Sequence, residues 1–351
     1  MILVLSSPTD LHADAVEPKI RAAGAEVVRF DRAEYPAHAS LAFGVDPSGR
    51  PSRILRRTSG PDIDLDDVTA IWHRRPGMPT PHADLAAPWM GRFVVEEGGP
   101  LFRDLWDSFD GLQVPGPRSV YRRAEHKYTN LVLAAELGFE VPDTLVTNDP
   151  AALLAFYRRH DGRIVSKMAN QILNNKFAAP RYNRFTEVVT PRDIAYFRSA
   201  RHDATIFQGY VPKRVELRVT VVGSALFAAE IRSQETNHTR HDWRRYDHSS
   251  TPIVPHELPP AVADRCRRLV ARLGLVYGAI DLVLTPDDRY VFLEINPNGQ
   301  FLWVEQLTGF PIAAAIADLL VAADRASHAA RAQADQTSMQ GGIAVPQLRA
   351  I

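Results

Sequence analysis

The sequence predicts a multi-lobed protein of mixed α/β and α+β class, and three observations carry that prediction. The chain opens with a β-α-β pattern, in which Ile2–Leu5 is a short apolar run, a helix follows to Ala23, and Glu26–Phe30 alternates as a second strand. Residues 191–325 carry strand-like runs at 205–210, 215–222, 225–232, 276–284 and 290–296. At 351 residues the chain is also too long for one ordinary core, so two or three lobes are expected.

In chain order, Ser6-Ser7-Pro8-Thr9-Asp10 supplies a turn and a helix cap, and Gly24 stops the first helix. No Gly-x-Gly-x-x-Gly follows the first strand, which argues against the usual dinucleotide fold. Val68–Trp72 reads as another strand, and the Pro- and His-rich stretch from Gly77 to Pro88 as loop. A first lobe is expected over 1–115, ending near Pro115-Gly116-Pro117. A central lobe is expected over 116–190, with a helix from Ala124 closed by Gly138 and a strand at Thr144–Thr147. Next come a helix capped by Asn148-Asp149-Pro150 and a strand at Arg163–Met168. The third lobe spans 191–325, and 326–351, rich in Ala, Gln, Gly and Ser, is expected to be a disordered tail.

Lys+Arg and Asp+Glu are equal at 41 each, so no global field draws the chain to nucleic acid or to membranes. The apolar run around Ile312–Ala323 is broken by Asp318, and Met1–Leu5 is too short for a signal-peptide core. The single cysteine, Cys266, excludes an internal disulfide and reads as a packed helix thiol. A cytoplasmic location is expected.

The strongest chemical signal is a pair of strands, Tyr277–Leu284 and Tyr290–Asn296, around the turn Thr285-Pro286-Asp287-Asp288-Arg289. For a hairpin centred on Asp287-Asp288, Asp281 faces Glu294 and Ala279 faces Asn296, all on one side. The other side pairs Ile280, Leu282 and Leu284 with Ile295, Leu293 and Val291. Two carboxylates would then lie roughly 5 Å apart at Cβ, where like charges destabilise a sheet. A divalent cation relieves that repulsion, and hard oxygen donors favour Mg²⁺. The competing reading is a solvent-facing strand pair with incidental acids.

A metal–phosphate site needs cations. Lys127 and Lys167 are the candidates; each alone reads as a surface lysine, and the acidic hairpin raises both. The strand end Gln208-Gly209-Tyr210-Val211 offers backbone groups for a base edge. Arg218 and Arg232 alternate with apolar neighbours, and inward arginines require an anion, either a protein acid or a phosphate.

In order and spacing, Lys127, Lys167, Gln208–Val211, Glu216-Leu217-Arg218-Val219, Asp281 and Glu294-Ile295-Asn296-Pro297 resemble the ATP-grasp superfamily. Within it the sequence is most similar to the graspetide (microviridin-type) peptide ligases, through Trp72-His73-Arg74-Arg75, Thr144–Pro150, Asp242-Trp243-Arg244-Arg245-Tyr246 and Asn298-Gly299-Gln300. The resemblance covers about 1–325. It implies an ATP-grasp fold whose N-terminal α/β lobe precedes central and C-terminal lobes that clasp ATP. It also implies an ADP-forming ligase that phosphorylates Asp or Glu side chains of a ribosomally made precursor peptide carrying a leader. Those acyl groups are then joined to Ser or Thr hydroxyls as esters, or to Lys amines as amides.

By the resemblance Asp281, Glu294 and Asn296 hold Mg²⁺. Lys127, Lys167, Gln208, Gly209, Tyr210, Val211 and Glu216 bind ATP, and Arg218 and Arg232 stabilise the transferring phosphoryl group. Homodimers are common in such a family. The sequence departs from many ATP-grasp enzymes in one respect: residues 167–183 contain no glycine for a phosphate flap, though Asn170, Gln171, Asn174, Asn175 and Lys176 supply polar side chains.

The cluster Thr239–His248 is open to three readings: a zinc site, a solvated loop, or a peptide-binding segment. In the last, Arg240, Arg244 and Arg245 meet substrate carboxylates. Arg74 has the same claim, with a structural salt bridge as its equal alternative. Two other functions compete with cyclisation: a ligase adding free amino acids to a protein or small-molecule carboxylate, and a non-catalytic nucleotide-binding scaffold.

Overall fold

The computed structural model describes residues 1–85, 87–167, 186–235 and 251–340. The chain divides into two compact units, one formed by Met1–Tyr121 with the chain from Pro311, the other by Arg122–Phe310.

In the first unit β1 (Ile2–Leu5) is fully buried, as its four apolar residues require. The helix α1 (Leu11–Ala22) starts where the Asp10 carboxylate accepts the N–H groups of His12 and Ala13, and ends before Gly24, which takes a left-handed φ of 81°. It leads to β2 (Val27–Phe30). An antiparallel sheet follows, made of β3 (Ala39–Val45), β4 (Pro51–Arg57) and β5 (Ile63–Asp64). β6 (Ala70–His73), helix α2 (Pro88–Asp107) and β7 (Leu112–Val114) complete a parallel sheet of order β2-β1-β6-β7. Leu3, Leu5, Phe30, Leu55, Ile71, Phe102 and Trp106 form its core.

After the short helix α3 (Arg118–Arg123), the second unit opens with α4 (Lys127–Glu136) and β8 (Thr144–Thr147). Asp149 caps α5 (Pro150–Arg159), whose first residue is the proline expected there. β9 (Ile164–Lys167), β10 (Glu187–Val188), the single turn α6 (Pro191–Ile194) and β11 (Thr205–Gly209) follow. Strands β8–β11 make an antiparallel sheet of order β10-β9-β11-β8 over a core of Leu153, Phe156, Ile164, Val189 and Phe207.

The second sheet of this unit, also antiparallel, has the order β14-β13-β12-β15-β16, with β12 (Val215–Val222), β13 (Ala225–Ile231), β14 (Ile253–Pro255), β15 (Tyr277–Leu284) and β16 (Tyr290–Asn296). Helix α7 (Pro260–Arg272) buries Cys266, and α8 (Leu302–Thr308) follows β16. Burial pushes the Cys266 thiol up to about 12, so it is the packed helix residue the sequence implied.

The last helix, α9 (Ile312–Gln340), packs along α1 and against β1 and β6 of the first unit. The stretch 326–340, expected as the start of a disordered tail, is helix: Arg331 donates to the Asp66 carbonyl at 2.8 Å. Among the described residues no helix is long and apolar enough to cross a membrane.

Candidate nucleotide and metal site

The hairpin β15–β16 sets the site. Its turn contains three residues, Pro286–Asp288, with Asp288 at a left-handed φ of 62°, rather than two. Near the turn the register is therefore one residue off expectation: Leu284 opposes Tyr290, and Val283 opposes Val291. Leu293 then bulges out of the ladder and restores the expected pairing, so that Asp281 opposes Glu294 and Ala279 opposes Asn296. The predicted apolar pairs Leu282–Leu293 and Leu284–Val291 do not form; Leu282 opposes Phe292, which is fully buried.

The two carboxylates each have a cation. Arg218 on β12 opposes Asp281, and its Nη1 donates to Asp281 Oδ1 at 2.8 Å, with both side chains largely buried. Lys127, the first residue of α4, places Nζ 2.9 Å from Glu294 Oε2. The like-charge repulsion of the rung is thus offset within the protein. Arg218 Nη2 also reaches the Gln300 carbonyl at 3.4 Å, and its Nε is buried without a hydrogen-bond partner among the described residues.

A cleft open to solvent lies between the two sheets of the second unit. Lys167, Gln208–Val211, Glu216, Asp281 and Glu294 line it, together with Pro142, Leu293 and Lys213. The Gln208 amide donates to Thr144 Oγ1 at 3.0 Å, while the N–H groups of Gly209 and Tyr210 go to the carbonyls of Asp143 and Arg163. The Val211 N–H makes no backbone hydrogen bond among the described residues. Lys213 pairs with Glu216, three residues on, at the start of β12. The sequence reading missed Lys213, although its spacing to an acid already singled out was visible.

Arg232 does not join this group. Opposed residues share a face of a sheet, and Arg218 opposes Ala229, so positions 230 and 232 alternate to the reverse side. There Arg232, just past the end of β13 and exposed, pairs with Glu230 at 3.0 Å. Glu230 also receives His256, and the two partners hold its carboxyl below the ordinary range even though burial opposes this. Arg74 lies in the first unit, 1% exposed at its side chain, in an ion pair with Asp10. That is the structural salt bridge, not a surface for peptide acids. Arg240, Arg244 and Arg245, and the glycine-free segment after Lys167, lie outside the described residues.

Asp281, Glu294 and Asn296 present hard oxygen donors on one side of two paired strands. The Asn296 Oδ1 is oriented by the Asn298 N–H at 3.0 Å. Among the described residues no three His, Cys, Asp or Glu side chains converge as a metal cage. The donor set fits a Mg²⁺ ion that takes its remaining ligands from phosphate and water. Zinc, which prefers nitrogen and sulfur, is not matched by these donors.

Comparison with known proteins places the chain. Residues 1–115 match the MvdD pre-ATP grasp domain. The macrocyclase MdnC of Microcystis aeruginosa MRC, crystallised with precursor peptide MdnA, is 30% identical, superposes with a TM-score of 0.79, and is matched over 91% of this chain and 98% of its own. A RiPP-associated ATP-grasp ligase from Chryseobacterium gregarium, solved with ADP and a leader and core peptide, is 30% identical with a TM-score of 0.82, over 91% of this chain and 96% of its own. The ligase PsnB, solved with minimal precursor, Mg and ADP, shares the fold at 22% identity and a TM-score of 0.71, over 92% of this chain and 97% of its own. No protein of curated function matches the sequence. With its fold and nearly its whole length shared with these enzymes, the chain belongs to the ADP-forming ATP-grasp ligases that act as macrocyclases of ribosomally made peptides.

Proposed function

We propose that this enzyme uses ATP and Mg²⁺ to close rings in a leader-bearing precursor peptide, working at the rung formed by Asp281 and Glu294. The observation that carries the proposal is the convergence of that rung, Arg218 and Lys127 with a cleft also lined by Lys167 and the 208–211 strand end. The Val211 N–H reads the base, and Glu216 contributes to nucleotide binding from the wall of the cleft. Lys127 and Lys167 neutralise phosphate oxygens. Asp281, Glu294 and Asn296 would hold Mg²⁺, which would supply charge neutralisation for the phosphates.

An Asp or Glu carboxylate of the peptide attacks the γ-phosphorus, ADP leaves, and an acylphosphate forms. A Ser or Thr hydroxyl, or a Lys amine, of the same peptide then attacks the acyl carbon. Inorganic phosphate leaves and the nucleophile gives up its proton, so that each ring costs the peptide one water. The protein's part is positioning and charge neutralisation, with Arg218 held beside the rung by its ion pair with Asp281.

The lobe boundaries at 115, 190 and 325 are proposed as the family's functional divisions, with α9 returning to the first unit. Intact mass of a candidate precursor after incubation with the enzyme, ATP and Mg²⁺ tests the reading. Loss of about 18 Da per ring is expected from condensation. A gain equal to an amino acid would replace it with the tailing ligase, and an unchanged mass without ATP turnover would favour a binding protein.

A further inference from the structure

We propose that Tyr277 is a positioning residue for phosphoryl transfer, acting through the Asn296–Gln300 loop on the Arg218 guanidinium. This inference rests on the nucleotide-site reading above. Tyr277, the first residue of β15 and 4% exposed, donates its hydroxyl to the Gly299 carbonyl at 2.7 Å. The loop is otherwise pinned from within, where Asn298 N–H reaches Asn296 Oδ1 and Gly299 N–H reaches the Asn296 carbonyl at 3.2 Å. Its next residue, Gln300, accepts from Arg218 Nη2.

The loop also leaves no slack against the arginine. A Cβ on Gly299 would lie 2.7 Å from Arg218 Nη2 and 2.4 Å from Ala279 Cβ, so only glycine lets the backbone come this close. Asp281 holds one guanidinium nitrogen and the loop backs the other, so Arg218 is restrained from two sides. Tyr277 fixes the loop that does the backing. Its own strand carries Asp281 four residues later, so one β-strand supplies both the anion and the anchor.

The test uses calorimetry on the full chain with Mg²⁺·ADP and with a Mg²⁺-bound ATP analogue whose γ-phosphate is not transferable. Tyr277→Phe should weaken binding of the analogue about tenfold, the upper scale of one lost neutral hydrogen bond, and leave ADP binding within twofold. Arg218→Gln should show the same selectivity, and the double variant should lose no more than either alone, as coupled residues do. Gly299→Ala serves as the second route to the same loss if Tyr277→Phe does not fold. Equal loss of both nucleotides, or losses that add in the double variant, would show Tyr277 to be merely structural. Failure of the wild type to bind either nucleotide would instead overturn the site reading itself.

Discussion

Arg218 and Asp281 are opposed residues of neighbouring strands, joined at 2.8 Å, and they stand where the sequence placed only a pair of acids. The rung is therefore already neutralised on one side, as Lys127 neutralises it on the other. A metal at this position rearranges existing ion pairs rather than relieving bare repulsion.

Removal of Asp281 should consequently harm the fold as well as the chemistry. Asp281→Ala strands a buried guanidinium, a defect that typically costs about 3–5 kcal/mol. Asp281→Asn retains an acceptor and should lose much less. Denaturant melts of the two variants check this, with ring formation abolished in both. Equal stability of Asp281→Ala and wild type would mean the pair contributes nothing.

Lys167→Ala and Lys127→Ala should each weaken ADP binding by about tenfold through loss of a charge facing phosphate. Lys127→Ala should in addition lower stability by up to about 1 kcal/mol, because its partly exposed ion pair with Glu294 disappears. Unchanged affinities in a titration would remove these lysines from the site.

Arg232→Ala should leave ring-forming turnover within twofold. The side chain lies on the reverse face of the sheet and binds Glu230. A hundredfold loss in a peptide mass assay would show that face to be catalytic.

His73 predicts how stability follows pH. It is 3% exposed and bonded to Gln113 at 2.6 Å, and burial pulls it down to about 4 from an ordinary 6.5. Because the folded state resists protonation, its full contribution is present above about pH 6.5. It is lost as pH falls toward 4, at up to about 1.4 kcal/mol per pH unit. His73→Gln should flatten that part of the stability curve, and an unaltered slope would contradict the assignment.

Cys266 should resist thiol reagents in the native protein and react once only when unfolded, since burial keeps it a thiol. Labelling followed by mass spectrometry with and without denaturant decides it.

Much of the site was legible because strand pairing is arithmetic. The facing of Asp281 and Glu294 followed from the turn composition, yet by two departures that cancel: a three-residue turn and the Leu293 bulge. A bulge has no signature in Leu293 itself. The same arithmetic applied to Gly223-Ser224 would have set Arg218 against Ala229 and excluded Arg232 beforehand. The sheet β3–β5 went unread because β3 is mostly exposed and its sequence carries no buried alternation. Arg74 was ambiguous for another reason: its partner, Asp10, is remote in sequence and had already been assigned as a helix cap.

The return of α9 to the first unit has a consequence for how the chain is born. α1 leaves the ribosome early but must wait for a partner made after residue 311, with the whole of Arg122–Phe310 synthesised in between. The second unit, a continuous stretch of chain, can fold first during elongation. The first unit is thus the one that finishes folding last, and a chain terminated at residue 310 would lack the helix that packs on α1.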